Sequence, residues 1–166
     1  MPRVERPAMA AYGVPADLDG TLPWSWADEH LTSSRNFWVV TASSDARPHA
    51  MPVWGVWLSD VERFGFSCAP RSRKARNIRD NPQIVIAPDN TVECVSVEGH
   101  AREISGADVE PYVVAYARKY EEDPAKQAAL GDFMRAHTIF EMAPERAFGI
   151  IEREDEFAQR ATRWVW

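Results

Sequence analysis

Five basic residues cluster in the stretch APRSRKARNIRDNP, Ala69 to Pro82, although the formal net charge of the chain is −6. Ser72 follows a strand-like run and precedes a helical pattern, so it is a suitable helix N-cap. Arg73 and Lys74 then fall in the first helical turn, where the helix dipole disfavours cations. Two cations beside free backbone N–H groups are favourable there if an anion binds in front of them. The pattern therefore predicts a site for one phosphate group, and a solvated basic face is the alternative.

The overall composition restricts the classes of partner. The chain has 166 residues, of which 45% are hydrophobic, and this suits a single domain with a real core. The pI of about 5.2 argues against nucleic acid as a partner. No signal-peptide core and no apolar run long enough to span a membrane are present. We therefore expect a cytoplasmic protein without a membrane partner, in which Cys68 and Cys94 are thiols of the core.

The positions of apolar residues predict the elements that must hold the basic turn. Residues 1–23, rich in Pro, Ala and Gly, are expected to form an extended or partly disordered arm, and residues 24–166 the folded domain. A short helix is expected from Trp24 to Ser34. Five strands should follow, over 36–42, 49–58, 62–68, 83–87 and 92–104. Pro52 should mark an edge or a bulge, and Gly99 a bulge or a close backbone approach.

The second half of the chain adds helices and further strands. One helix is expected from Asp108, as its N-cap, to Tyr120, and another over 124–136. Strands should then cover 137–143, 147–153 and 162–166. The fold class expected from this order is mainly β, a single β-barrel with inserted helices.

Several of these motifs together resemble a known family. The run SRKARNIRDNP, preceded by ARPHAMPVWGVW and ERFGFSCAP, is similar to the FMN-binding split β-barrel proteins of the pyridoxamine 5'-phosphate oxidase-like superfamily. The segments VSVEGHAREI, AYARKY and ATRWVW agree with that family in order and spacing, so the resemblance extends from about Trp26 to Trp166. It implies a homodimeric split β-barrel with a cofactor held between the subunits.

The resemblance also implies which residues bind the cofactor. The Ser-Arg-Lys turn of the family holds the cofactor phosphate, the ring lies along the second long strand, a neighbouring strand follows the ribityl chain, and the C-terminal segment commonly reaches the site. Carried over, these roles fall on Ser72, Arg73 and Lys74 with Asn77 nearby, on Met51, Pro52, Val53 and Trp54, on Ser67, and on Arg163 and Trp164.

The ring-binding strand departs from the true pyridoxamine phosphate oxidases. Those enzymes carry basic residues where this sequence has Met51 and Val56, so pyridoxamine phosphate is not the expected substrate. The strand, the AYARKY helix and the terminal TRWVW look more like the branch that uses coenzyme F420. The resemblance thus implies F420-dependent hydride transfer to a small, conjugated substrate, with FMN as the alternative cofactor.

The sequence leaves the catalytic groups open. No acid–base pair is evident, and a non-catalytic protein that binds a cofactor or another ligand is the further alternative. His49 is the local candidate for a proton donor. The remaining histidines lack the spacing of metal ligands, so no metal site is expected.

Overall fold

Six of the eight strands close into an antiparallel β-barrel. The computed structural model describes all residues from Met1 to Trp166. The strands are β1 (Arg3–Glu5), β2 (Asn36–Ala42), β3 (Pro48–Leu58), β4 (Arg63–Cys68), β5 (Gln83–Pro88), β6 (Glu93–Ile104), β7 (Thr138–Ile151) and β8 (Thr162–Val165). The helices are α1 (Trp24–Ser33), α2 (Arg73–Asp80), α3 (Glu110–Tyr120), α4 (Pro124–Arg135) and α5 (Phe157–Arg160).

The barrel runs in the order β7-β4-β3-β2-β5-β6 and is closed by pairing of β6 with β7. Strand β8 pairs with the far part of β7, and β1 pairs with β8. Alternate residues of the strands point inward, as a sheet with one buried face requires, and Phe37, Phe64, Phe66 and Phe140 are completely buried there. The predicted mainly β barrel with inserted helices is confirmed.

The two predicted strands over 137–143 and 147–153 are one continuous strand, β7, which spans 14 residues. The register of β6 against β7 shifts between Glu98 and Gly99, and Gly99 lies opposite Pro144. A Cβ atom on Gly99 would lie 2.1 Å from the carbonyl oxygen of Ala143, so only glycine allows this approach. The bulge predicted at Gly99 therefore lets β7 pass its proline without leaving the sheet.

Strand β3 is covered on both faces only from Gly55 to Trp57, whereas most of its first half is exposed. Trp57 lies in the main barrel core, whereas Val56 packs in a second cluster with Tyr112, Val113 and Tyr116 of α3. Helix α3 begins at Glu110, two residues later than expected. Asp108 is not its N-cap, because Gly106–Val109 forms a 3-10 turn in front of it.

The two parts of β3 pair with different strands. Strand β2 pairs with β3 from Pro48 to Trp54, but β4 pairs with it only from Gly55 to Leu58. Pro52 therefore lies on the part of β3 that pairs with β2 alone. No strand pairs with the other side of this segment, so proline's lack of an N–H interrupts no ladder there. The edge position predicted for Pro52 is confirmed.

The N-terminal residues pack against the C-terminal part of the chain. Besides the β1–β8 pairing, the Arg6 guanidinium donates hydrogen bonds to the carbonyls of Gln159 and Ala161, both at 2.8 Å. Leu22 is completely buried in the barrel core. No helix of the protein has the length and apolar character that a membrane span requires.

Candidate functional site

Helix α2 begins where the sequence predicts, at Ser72. The Ser72 backbone is extended, and its hydroxyl accepts a hydrogen bond from the Ala75 N–H at 3.3 Å. Ala75 and Ile78 are buried in the barrel core and fix the helix against it. The backbone N–H groups of Arg73 and Lys74 lie in the first turn, where a helix has no internal acceptor for them. The cap and the packing thus present two free donors and two cations at one place.

The cations at this helix start have no carboxylate partner. Neither Arg73 nor Lys74 forms an ion pair, whereas Arg79 at the other end of α2 pairs with Glu103 at 2.8 Å. Burial, and then the positive charges of Arg73 and Lys74, lower the pKa of His49. The positive charges at the start of α2 are therefore not neutralised by an ion pair within the chain, which suits a bound anion.

A cavity of about 370 Å³ lies in front of this turn. The open edge of β3 forms one side of it, and the turn before α2 forms another. Six of the predicted site residues line it together, namely Pro52, Val53, Trp54, Ser67, Ser72 and Lys74. Residues separated by more than twenty positions in the chain thus meet because β3 and β4 are neighbours and α2 follows β4 directly.

The other predicted site residues lie outside the cavity. Met51 is an exposed residue of the β3 edge, and Arg73 is half-buried in the first turn of α2. Asn77 is buried, and its side-chain amide donates to the Thr41 hydroxyl at 2.9 Å, so the amide is used inside the protein. Its predicted role near the phosphate stays a prediction.

The side chains of the two C-terminal candidates, Arg163 and Trp164, also make contacts within their own chain. The Arg163 guanidinium donates to the Glu5 carboxylate at 2.9 Å through Nε and holds the pKa of that carboxyl below its usual range. Trp164 is completely buried and packs edge-on against Trp24, with ring centroids 5.5 Å apart. The structure does not bring either residue into the cavity of the same chain, because β8 pairs with Arg146–Gly149 of β7, beyond the segment that pairs with β4.

Besides Cys68 and Ala69, which follow Ser67 directly, three residues at the cavity were not predicted as site residues. Tyr116 of α3, Phe133 of α4 and His137 just after α4 form the wall opposite β3. Burial raises the pKa of the Tyr116 phenol. The helical spacing of Tyr116 and Tyr120 was a possible signal, but no sequence pattern places α4 beside β3.

Helix α3 holds Trp54 in place at the cavity edge. The Trp54 ring stacks on Tyr120 with centroids 4.7 Å apart and planes 4° from parallel, and the Arg35 guanidinium lies 5.1 Å from the Trp54 ring. The Tyr120 hydroxyl accepts from the Gly55 N–H at 2.9 Å, and burial raises the pKa of this phenol to about 12. The indole is therefore fixed before any ligand arrives, although 41% of the residue remains exposed.

Lys119 supports the same segment from a half-buried position. Its ammonium donates to the Gly55 carbonyl at 3.1 Å and lies 4.9 Å from the Phe37 ring, and no carboxylate pairs with it. Burial lowers the pKa of this amine from 10.5 to about 8. The protonated form thus pays a desolvation penalty in the folded state that it does not pay in the unfolded chain.

The pH dependence of stability should reveal this penalty. Between pH 8 and 10.5 the unfolded chain retains a proton that folded Lys119 has lost, so the free energy of unfolding rises with pH. Below pH 8 the amine is protonated in both states and the full penalty applies. We expect the difference between wild type and Lys119→Met in urea unfolding to shift in favour of wild type by about 2 kcal/mol from pH 7 to pH 10. A difference that stays constant with pH would contradict the low pKa.

A family model described as pyridoxamine 5'-phosphate oxidase matches residues 27–150, which is more than half of the chain. No curated protein is similar enough in sequence to count as a match. Solved structures that share the fold at low sequence identity include the following three proteins.

One is a pyridoxamine 5'-phosphate oxidase-related, FMN-binding protein from Nostoc punctiforme, with 19% identity, a TM-score of 0.56, and coverage of 81% of this chain and 87% of that one. A second is an F420 reductase, with 20% identity, a TM-score of 0.54, and coverage of 72% and 94%. The third is HutZ, a heme storage protein from Vibrio cholerae, with 15% identity, a TM-score of 0.58, and coverage of 72% and 87%. Together with the family match and the closed barrel, they lead to one conclusion: the chain belongs to the pyridoxamine 5'-phosphate oxidase family and has its split-barrel fold.

Proposed function

We propose that this protein is an F420-dependent oxidoreductase that transfers hydride between the deazaflavin and a small, conjugated substrate. The observation that carries the proposal is the cavity in which the Ser72–Lys74 turn faces the open edge of β3. An anion site beside a flat, partly aromatic wall in one cavity suits a cofactor that has both a phosphate and a planar ring. An FMN-dependent oxidoreductase on the same site is the alternative.

The phosphate would be held at the start of α2. Lys74 offers an ammonium without an ion-pair partner, and the first-turn N–H groups offer donors without acceptors. The Ser72 hydroxyl and the guanidinium of Arg73 complete the set. Backbone donors and point charges of this kind recognise the phosphate and leave the rest of the ligand to other contacts.

The ring would lie along Pro52, Val53 and Trp54, with Met51 at the outer end and Ser67 beside the ribityl chain. The open edge of β3 has backbone polar groups that no second strand uses. Such groups can bond the polar edge of a ring and orient it. The bound cofactor supplies the hydride, while these residues bind it, orient it and exclude water.

The preference for F420 depends on the remaining cations of α2. F420 has an acidic tail beyond its phosphate, and cations in addition to the phosphate clamp would suit it. Arg79 is taken by Glu103, but neither Arg71 nor Arg76 forms an ion pair, and the Arg76 guanidinium donates to the Arg71 carbonyl. These two guanidinium groups are the ones that we assign to the tail.

The site is proposed to be completed by a second copy of the chain. Trp38 is 45% exposed on the outward face of β2 and lies opposite Pro52 of β3 and Ala87 of β5. Val40 faces Ala50 and Val85 in the same way, so this face of the sheet is apolar and ends at the cavity. A homodimer would bury it and bring Arg163 of the second copy toward the cofactor. In such a dimer Trp164 would not contact the cofactor and would only support Arg163, its neighbour in β8.

A non-catalytic binder of a cofactor or another ligand is the second candidate. No Asp or Glu lines the cavity, so a carboxylate acid or base for turnover is missing there. The structural similarity to a heme storage protein makes binding without turnover a concrete alternative.

The test loads the purified protein with reduced F420 or, separately, reduced FMN and adds a panel of small enones, quinones and other conjugated acceptors under anaerobic conditions. Substrate-dependent oxidation of F420, by a species with the mass of a dimer, is the expected result. Oxidation of FMN alone would select the alternative cofactor. Saturable binding of either cofactor without oxidation by any acceptor would favour the non-catalytic binder.

A further inference from the structure

The wall of the cavity opposite β3 is built from the last turn of α4. Phe133 is 53% exposed, although it is a large apolar residue, and its ring centroid lies 4.4 Å from that of His137. Met134, next to Phe133, is completely buried and anchors the turn. A Cβ atom on Gly131 would lie 3.2 Å from Val113, so α4 packs closely on α3 at this point. The Phe133–His137 pair is therefore held rigidly while its outer surface stays open to the cavity.

The hydrogen bonds of His137 define its tautomer. Its Nδ1 lies 2.7 Å from the Phe133 carbonyl oxygen. A carbonyl can only accept, so Nδ1 carries the hydrogen and donates it. Nε2 is then the nitrogen that remains to bond a ligand. The same arrangement, with one nitrogen fixed by a backbone carbonyl, orients imidazoles that bind ligands in other proteins.

The other three histidines do not offer a free nitrogen at the cavity. His30 bonds the Trp26 carbonyl and Glu93, and His100 bonds Gln83 and Glu145, so both nitrogens of each ring are used. His49 lies near Arg73 and Lys74, whose charges disfavour its protonated form, and it does not line the cavity. His137 is thus the imidazole of the cavity.

The cavity around His137 contains one cation and no carboxylate. Lys74 from α2 adds positive charge, and Ser67, Ser72 and Trp54 are neutral. Burial raises the pKa of the Cys68 thiol and of the Tyr116 phenol, so both stay neutral near pH 7. Arg79 and Glu103, which act on Cys68 from farther away, are paired with each other at 2.8 Å. No carboxylate of the cavity competes for the imidazole.

We propose that His137 is a ligand-binding residue of this cavity, whose Nε2 becomes protonated and donates a hydrogen bond when an aromatic or conjugated ligand with negative charge binds beside Phe133. The inference rests on the proposed function, because the ligand in question is the proposed cofactor. It adds a hydrogen-bond donor on the side of the site away from β3. His137, and not His49, is then the residue at which a proton would be held.

The test measures the dissociation constants of F420 and FMN between pH 5.5 and 8 for wild type and His137→Phe, which keeps an aromatic ring beside Phe133. An anionic ligand that bonds protonated His137 takes up a proton on binding, so wild-type affinity should rise as the pH falls. The FMN phosphate also titrates in this range, and the difference between the two proteins isolates His137. We expect that difference to reach about tenfold at pH 5.5.

A second measurement does not require a variant. The imidazole Cε1–H signal of His137 in the NMR spectrum of wild type should titrate at higher pH when the protein is saturated with cofactor than when it is free. For the affinity measurement, His100→Phe is the matched control. Its affinity for the cofactor should follow the wild-type pH profile.

The outcomes separate this inference from the proposed function. Cofactor binding with the same pH profile in wild type and His137→Phe, and with an unmoved His137 signal, would overturn the role of His137 and leave the proposed cofactor site intact. Absence of binding of both cofactors to wild type would remove the proposed function and this inference with it.

Discussion

Lys74→Ala should raise the dissociation constant for the cofactor by about 10- to 100-fold, since a hydrogen bond to a charged group contributes about 1.5–3 kcal/mol. Lys74 lines the cavity, has no ion-pair partner, and lies in the first turn of α2. Its removal takes away the charge but leaves the N-cap and the buried face of the helix intact. The dissociation constant can be followed through quenching of tryptophan fluorescence, because Trp54 borders the same cavity.

Lys126→Ala is the matched control for this prediction. The Lys126 side chain is 70% exposed at the start of α4, and its only carboxylate neighbour, Asp123, is 3.9 Å away. It loses the same charge at the surface and should bind the cofactor like wild type. Equal weakening by both variants would mean that net charge, and not the α2 turn, governs binding. An unchanged dissociation constant in Lys74→Ala would contradict the phosphate assignment.

Trp164→Ala should lower the free energy of unfolding by about 3–5 kcal/mol, the usual cost of deleting a large buried aromatic side chain. Trp164 is completely buried, and Gly149 leaves the space that its ring fills, since a Cβ atom there would lie 2.6 Å from the indole. Urea unfolding of the protein without cofactor measures the effect directly. Trp164→Phe, which keeps a ring in the core, should lose only about 1–2 kcal/mol.

The same experiment decides between two roles for the C-terminal segment. A residue that contacts only the cofactor would change the affinity for it without changing the stability of the free protein. If Trp164→Ala unfolded at the same urea concentration as wild type but bound the cofactor weakly, its assignment to the core would be wrong and its direct role in the site would stand.

Local patterns in the sequence were sufficient for much of the fold. The N-cap at Ser72, the edge at Pro52 and the bulge at Gly99 each depend on what one residue can or cannot do with its own backbone, and all three are confirmed. Strand positions also follow from alternation, which depends on neighbours along the chain. The merging of two predicted strands into β7 was not visible, because the register shift that carries β7 past Pro144 depends on its pairing with Gly99 of β6.

The site was only half predictable for a related reason. The turn before α2 and the edge of β3 have their own sequence signals, whereas the wall of Tyr116, Phe133 and His137 exists only because α3 and α4 pack together. Two further candidates, Asn77 and Trp164, are buried by tertiary packing. Asn77 follows Lys74 by three residues, but its amide is turned inward to Thr41, and a helical position alone could not show that. Trp164 is likewise placed by tertiary packing around Gly149, which no motif encodes.

The measurement that tests the central claim most directly is a titration of F420 and of FMN, separately, into the purified wild-type protein, followed by intrinsic tryptophan fluorescence. We expect saturable quenching by F420 at micromolar concentrations, weaker binding of FMN, and F420 binding that is about 10- to 100-fold weaker in Lys74→Ala. Tighter binding of FMN would move the protein to the flavin alternative. No binding of either cofactor at concentrations far above micromolar would contradict the claim that the α2 turn and the β3 edge form a cofactor site.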